Sequence, residues 1–173
     1  QPATAEYRNS WLAAISEAAF MTGLERNADV VNMASYAPLF AHVDGWQWTP
    51  DLIWVDNLRS YGSANYQVQK LYSTNKGTHT VPALFNYKPL TGQDSLYASS
   101  TIAKLINEFF VKIVNFAGKV QLADLIIEGV NKVQSKAKLT VLQHDNLETE
   151  NSFDSGLKLA PVETEINTKG KTI

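Results

Sequence analysis

The chain has 173 residues, of which 45% are hydrophobic and 18% are charged, and its formal net charge is −2. This composition is typical of a globular protein, and the small charge creates no field that would attract nucleic acid or an anionic membrane. The sequence contains no cysteine, which excludes disulfides and thiolate metal sites. No apolar run approaches the roughly 18 residues of a membrane span, and residues 1–5 lack the pattern of a signal peptide. We therefore expect no nucleic-acid partner and no membrane partner.

The first elements are a helix and a short strand. Apolar residues at helical spacing predict an amphipathic helix over residues 11–27, and either Asn9 or Ser10 can cap its start. Residues 29–34 are interpreted as a short buried strand. Pro38 then ends the strand, because it holds the preceding residue in an extended conformation.

An aromatic loop, a second strand and a second helix follow. Residues 42–50 are predicted to form the loop, which contains Trp46 and Trp48, and residues 52–55 a short strand. Ser63 is placed to cap a helix that runs to about residue 72. The Asn-Lys-Gly turn at residues 75–77 marks the predicted boundary between two domains.

The remainder of the chain has the character of an all-β domain. Five runs are interpreted as strands: residues 81–85, 96–102, 109–114, 122–127 and 136–142. Several short strands at such spacing predict a β-sandwich. Residues 101–110 also have apolar residues at helical spacing, and the alternative is a hairpin with its turn near Asn107.

Several segments resemble a known family of enzymes. They are SEAAFMTGLERNADVV at residues 16–31, MASYAPLF at 33–40, WQWTPDLIW at 46–54, NLRSYG at 57–62, YQVQK at 66–70, LYAS at 96–99, VLQ at 141–143 and NSFDSGLKLAP at 151–161. Together they resemble the C-terminal part of the longer plant and gut-bacterial α-L-arabinofuranosidases of glycoside hydrolase family 51. The resemblance is dense before residue 75 and thinner after it.

The resemblance implies a mainly β fold. Residues 1–75 would be the last helix–strand–helix segment of a (β/α)8 barrel, and residues 76–173 a jelly-roll-like C-terminal β-sandwich. The parent enzyme would hydrolyse terminal α-L-arabinofuranosyl groups of plant oligo- or polysaccharides by a retaining mechanism without a cofactor. The sequence leaves the compartment open, and the expectation for the parent is periplasmic or secreted.

Retaining glycosidases need two carboxyl groups about 5–5.5 Å apart. In the resembled family both are glutamates at the ends of barrel strands. Glu6 precedes Tyr7 as in the nucleophile motif, but no strand precedes it, so it is interpreted as an exposed residue ahead of the helix. Glu17 lies on the helix and is expected to pair with a neighbouring base. We therefore expect no catalytic residue in this chain, and the isolated fragment is predicted to be inactive.

The loop after the last barrel strand borders the sugar site in the resembled family. Trp46 and Trp48 are candidates for stacking on a sugar ring, and the alternative is that they are core aromatics. Tyr36 and Asn57 are candidates for hydrogen bonds to a sugar hydroxyl. His42 is interpreted as structural, and no histidine pair has the spacing of a metal site.

Two other functions remain open at this point. The first is a non-catalytic carbohydrate-binding or structural module, in which Tyr87, Tyr97 and Phe110 could form an aromatic strip on the sandwich. Coplanar exposed rings would favour sugar binding, and buried rings would favour a scaffold. The second is self-association, because the apolar surface of the first helix would lack its barrel neighbours.

Overall fold

The computed structural model describes residues 9–155 and 157–173. Within these residues the chain forms two α-helices and ten strands in four small sheets. The helices are α1 (Trp11–Arg26) and α2 (Ala64–Thr74). The strands are β1 (Phe40–His42), β2 (Ile53–Val55), β3 (Ser60–Gly62), β4 (His79–Val81), β5 (Leu84–Phe85), β6 (Lys88–Pro89), β7 (Leu96–Ala103), β8 (Glu108–Asn115), β9 (Lys136–Val141) and β10 (Val162–Asn167). Small β sheets thus dominate the regular structure, in agreement with the mainly β expectation.

Helix α1 confirms the first predicted element. Ser10 is its N-cap, since the Ser10 hydroxyl accepts a hydrogen bond from the Ala13 backbone N–H at 3.5 Å. The helix ends at Arg26, where the next N–H bonds to the Gly23 carbonyl at 3.2 Å. Among the described residues, only a narrow face of this helix is buried, and the opposite face is exposed to solvent.

The predicted strand at residues 29–34 is wrong. The chain is irregular there, and Val30 and Met33 are 70% and 87% exposed. The backbone N–H groups of Leu52 and Ile53 bond to the carbonyls of Pro38 and Leu39, which follow the predicted strand. The first strand of this part of the chain is therefore β1. An apolar run forms a strand only where its backbone groups can pair with a neighbouring strand.

Strands β1, β2 and β3 form one sheet, with β1 parallel to β2 and β2 antiparallel to β3. Strand β2 confirms the strand predicted at residues 52–55. Its central residue, Trp54, is fully buried and packs with Ala41 and Tyr61 from the flanking strands. Trp46 and Phe153 cover this cluster from outside the sheet.

Helix α2 packs against α1. The Ser63 hydroxyl caps α2 by accepting from the Tyr66 N–H at 3.2 Å, as predicted, and the helix extends two residues beyond the predicted end. The shared core consists of Trp11, Ala14, Ala64, Val68 and Leu159. Alanine on the facing sides of both helices allows their close approach.

Strands β4, β7 and β8 form a second, antiparallel sheet. Strands β7 and β8 pair from Leu96↔Asn115 to Ala103↔Glu108, and Asn107 lies in the turn with a φ of 55°. This confirms the hairpin and its turn. Of the apolar residues at helical spacing, Ile102 and Phe109 lie on the two strands, whereas Leu105 and Ile106 lie in the exposed turn.

Two further strand predictions need correction, and one strand was not predicted. Residues 81–85 are divided between β4 and β5 by Pro82, which cannot donate to a ladder. Residues 122–127 form only an isolated bridge from Ile126 to Thr172, and Leu122 is 96% exposed. Strand β10 was not predicted, although Val162, Thr164 and Ile166 alternate with Glu163, Glu165 and Asn167. It pairs antiparallel with β9, which the sequence did predict.

Candidate functional site

The two candidate tryptophans lie in different environments of the loop after β1. Trp46 is half-buried, and its ring meets the buried Trp54 ring edge-on at a centroid distance of 5.5 Å. Trp48 is 68% exposed. Trp46 is thus a packing residue at the edge of the core, whereas Trp48 presents its ring to solvent.

The hydroxyl of Tyr36 is bound by a buried amide. Asn9 is 1% exposed, and its Nδ2 donates to Tyr36 Oη at 3.0 Å. Burial, and next the charge of Glu17, raise the pKa of the Tyr36 hydroxyl well above its usual range, and Asp51 acts in the same direction. Tyr36 therefore keeps its proton throughout the physiological pH range.

Asn9 belongs to a larger set of hydrogen-bonded side chains. Its Nδ2 also donates to Asn65 Oδ1 at 3.0 Å, and its Oδ1 accepts from Trp54 Nε1 at 3.5 Å. Asn65 Nδ2 and Gln69 Nε2 both donate to the carboxylate of Glu17. We call this set the amide network; its members are Glu17, Gln69, Asn65, Asn9, Trp54 and Tyr36.

The partners of Glu17 differ from the expectation. Glu17 forms no ion pair within the part of the chain that the structure describes, so the predicted basic partner is wrong. Two neutral amides satisfy the carboxylate instead. Burial raises the pKa of Glu17, and the hydrogen bonds from Asn65 and Gln69 oppose this shift.

Asn57 is separate from the amide network. It lies in the exposed turn between β2 and β3, and its Oδ1 is 3.4 Å from His42 Nε2. The Asp44 N–H donates to His42 Nδ1 at 3.2 Å, so in the neutral ring the proton is on Nε2, which donates to Asn57. His42 thus holds the turn of Asn57, in keeping with its structural interpretation.

Other carboxylates are engaged in local interactions. Asp56 Oδ1 accepts from the backbone of Leu58 at 2.8 Å and Arg59 at 2.6 Å, and these bonds lower the pKa of Asp56. Glu25 forms an ion pair with Lys112 and accepts from Ser99 Oγ at 2.6 Å. Glu6 lies outside the described residues.

Asp51 is a different case. It is 2% exposed, its Oδ2 has no hydrogen-bond partner among residues 9–155 and 157–173, and burial raises its pKa. The sequence pattern does not identify Asp51 or Asn65 as site residues, and it identifies Asn9 only as a possible cap. Asn9 and Asn65 each lie near a serine that already caps a helix, and a second polar residue at such a position is the signal that could have found them.

In the described part of the chain, no group of three or more histidine or acidic side chains is arranged to hold a metal ion. Neither helix in that part of the chain has the length and apolar character needed to cross a bilayer.

This chain is similar to known α-L-arabinofuranosidases. A family model described as the α-L-arabinofuranosidase C-terminal domain matches residues 1–173. An extracellular exo-α-L-arabinofuranosidase of Streptomyces chartreusis is 61% identical over 75 residues, which are 43% of this chain and 9% of that protein. α-L-Arabinofuranosidase 1 of Arabidopsis thaliana is 34% identical over 160 residues, which are 90% of this chain and 23% of that protein. The chain thus spans less than a quarter of these relatives.

Solved structures agree with these matches. An arabinose-bound α-L-arabinofuranosidase of family GH51 superposes with a TM-score of 0.85 and 36% identity, over 96% of this chain and 26% of that one. The α-L-arabinofuranosidase of Thermotoga maritima shares the fold at a TM-score of 0.74 and 15% identity, over 97% of this chain and 36% of that one. The chain belongs to the family of α-L-arabinofuranosidase C-terminal domains.

Proposed function

We propose that this chain is the C-terminal part of a retaining α-L-arabinofuranosidase that removes terminal α-L-arabinofuranosyl groups from plant polysaccharides. The observation that carries the proposal is the family match over the full 173 residues, together with relatives named for this activity. The substrate of the parent would be an arabinose-containing oligo- or polysaccharide.

The catalytic carboxyl pair would lie in other parts of the parent. A retaining mechanism needs two carboxyl groups about 5–5.5 Å apart, one of them free to attack carbon. Here the carboxylate of Glu17 is held by two amides, and that of Glu25 by Lys112 and Ser99. Asp56 is bound by backbone N–H groups. These three carboxylates support structure, which favours the proposal that the isolated chain is inactive.

The finer architecture is also a proposal. Residues 1–75 would supply the last helix and strand segment of a (β/α)8 barrel, and parallel pairing of β1 with β2 beside two helices supports this. Residues 76–173 would form the jelly-roll-like sandwich, for which the antiparallel sheets β4–β7–β8 and β9–β10 are the support.

Within the parent, the loop after β1 would form part of the rim of the sugar site. The exposure of Trp48 supports stacking of its ring on a sugar. Tyr36 and Asn57 would offer polar groups to hydroxyls, and Trp46 would support the loop from below through its contact with Trp54.

The alternative of an independent carbohydrate-binding module receives less support. Tyr87 is 96% exposed, but Tyr97 and Phe110 are only partly accessible and do not join it in an open strip. A scaffold role for the β domain therefore fits better. Self-association is favoured by the uncovered apolar side chains of α1, with Leu12 39% and Phe20 66% exposed.

The test is hydrolysis of an aryl α-L-arabinofuranoside by this chain, compared with a protein extended through the whole barrel. We expect turnover by the extended protein only. Turnover by the 173-residue chain that is abolished by Glu6→Gln would overturn the proposal that the catalytic pair lies elsewhere. An extended protein that folds but hydrolyses no arabinofuranoside would overturn the assigned activity.

A further inference from the structure

The amide network connects α1, α2, β2 and the segment before β1. Asn9 and Asn65 are 1% and 3% exposed, so water cannot easily replace their partners. From Glu17 the hydrogen bonds run through Asn65 to Asn9, and from Asn9 to Tyr36. A buried amide that loses its partner is costly, which means that the orientation of each amide depends on its neighbour.

The direction of these bonds follows from the chemistry of Glu17. An ionised carboxylate can only accept, so Asn65 must present its NH2 group to Glu17 and its oxygen to Asn9. Asn9 must then present its own NH2 group to Asn65. The second N–H of that group reaches Tyr36 Oη, and the Asn9 oxygen accepts from Trp54 Nε1. All donors and acceptors of the Asn9 side chain are consistent with one orientation only.

We propose that Glu17 is a positioning residue that sets this orientation through Asn65 and Asn9, and thereby makes Tyr36 a hydrogen-bond donor to the substrate. The Tyr36 oxygen accepts from Asn9, so its O–H proton is left for another acceptor. A sugar hydroxyl or ring oxygen is such an acceptor. The last step rests on the proposed function, whereas the orientation of the amides does not.

The orientation can be measured in this chain without any sugar. The chain has four tryptophans, so the indole N–H signals are few, and Trp54→Phe identifies the one of interest in a ¹H–¹⁵N spectrum. Glu17→Met removes the acceptor at nearly constant volume. We expect the Trp54 indole signal to move upfield and its hydrogen exchange to accelerate on the order of tenfold, because Asn9 no longer holds its oxygen toward the indole.

Two further variants separate orientation from packing. Gln69→Met removes the other partner of Glu17 but leaves Asn65 bound, and it should leave the Trp54 signal unchanged. Glu17→Met combined with Asn65→Asp places an acceptor-only group beside Asn9 and should restore the signal. An unchanged signal in Glu17→Met overturns the proposal. So does an equal shift in Gln69→Met, or a folded double variant without restoration.

The step to the substrate is tested in the full-length parent. Tyr36→Phe should raise KM roughly fivefold with little change in kcat, as loss of one hydrogen bond to bound substrate does. Glu17→Met should have a similar effect, and the two together should be no worse than Tyr36→Phe alone. Additive effects, or no effect of Tyr36→Phe, overturn this step. Loss of the assigned activity would appear separately, as absence of turnover in the unsubstituted parent.

Discussion

Before residue 75 the buried amides of Asn9 and Asn65 bind other side chains, whereas after it most of the buried polar side chains bind backbone. Asn9 is bound to Tyr36 and Asn65. By contrast, Ser100 donates to the Val81 carbonyl at 2.8 Å, and Asn151 bonds to both the N–H and the carbonyl of Leu159. A side chain that binds backbone needs only one suitable residue, but a side-chain pair needs two. Asn9 and Asn65 therefore restrict the residue types of their partners more strongly than Ser100 and Asn151 do.

The largest expected effect is at the centre of the first region. Trp54 is fully buried between Ala41 and Tyr61, and its replacement by alanine should lower the free energy of unfolding by about 3–5 kcal/mol. Trp48→Ala is the matched control, because Trp48 is 68% exposed, and it should change stability by less than about 0.5 kcal/mol. Chemical denaturation of the chain measures both. Similar losses in the two variants would contradict the packing described for Trp54.

A second prediction concerns the contact between the two regions. Glu25 on α1 and Lys112 on β8 form an ion pair with side chains only 14% and 12% exposed. Lys112→Met leaves a largely buried carboxylate with Ser99 as its remaining partner. We expect the free energy of unfolding to fall by about 2 kcal/mol, which is less than for a fully buried ion pair because some solvent reaches these side chains.

Lys138→Met is the control for this ion pair. Lys138 Nζ lies 3.4 Å from Glu163 Oε1 on the surface of β9 and β10, and the two side chains are 63% and 59% exposed. The control should cost less than about 0.5 kcal/mol. If the two lysine variants lose equal stability, the Glu25–Lys112 pair does not hold α1 on the sheet.

The third prediction is a gain in stability at Asp51. Burial raises the folded-state pKa of this carboxyl above its ordinary value of 3.8, so the folded state binds protons more readily than the unfolded state. Stability from this group is therefore highest at acidic pH and decreases as the pH rises from about 3.8 through the raised folded pKa. Asp51→Asn removes the buried charge and should increase the free energy of unfolding by about 1 kcal/mol at neutral pH.

The pH dependence distinguishes this effect from a change in packing. Denaturation at several pH values should show that the advantage of Asp51→Asn disappears on acidification, when the wild-type carboxyl becomes protonated. A gain that is the same at all pH values, or a loss at neutral pH, would contradict the assignment of an uncompensated buried carboxylate.

The elements that the sequence predicts correctly are those specified by local signals. Helices α1 and α2 have a serine cap and apolar residues at helical spacing, and the β7–β8 hairpin has two runs typical of strands with a turn near Asn107 between them. Strand β10 was not predicted, and residues 29–34 were wrongly predicted to form a strand. In both places, strand formation depends on whether a partner strand lies alongside. The local sequence pattern does not specify which distant segments pair.

The same limit applies to the candidate site. Trp48 could be identified as a candidate from its aromatic loop, and Tyr36 from its place after a predicted strand. The amide network could not be predicted, because its bonds join residues 27 to 56 positions apart, such as Asn9 to Tyr36 and Asn9 to Asn65. The expectation of a basic partner for Glu17 failed for this reason, since the amides that bind it come from another helix.

The smallest expected effect tests whether backbone conformation limits the stability of the second region. Asn86 and Tyr87 form the two-residue turn between β5 and β6, with φ values of 50° and 62°. Asparagine tolerates this left-handed conformation, but a bulky residue does so only with strain. Tyr87 is 96% exposed and has little packing to lose, so Tyr87→Gly should stabilise the chain by about 0.5 kcal/mol, since Asn-Gly is the preferred pair for such a turn. Asn86→Gly is the matched control and should give a smaller gain. A loss of stability in Tyr87→Gly would show that the tyrosine ring, and not the backbone, determines the stability of this hairpin.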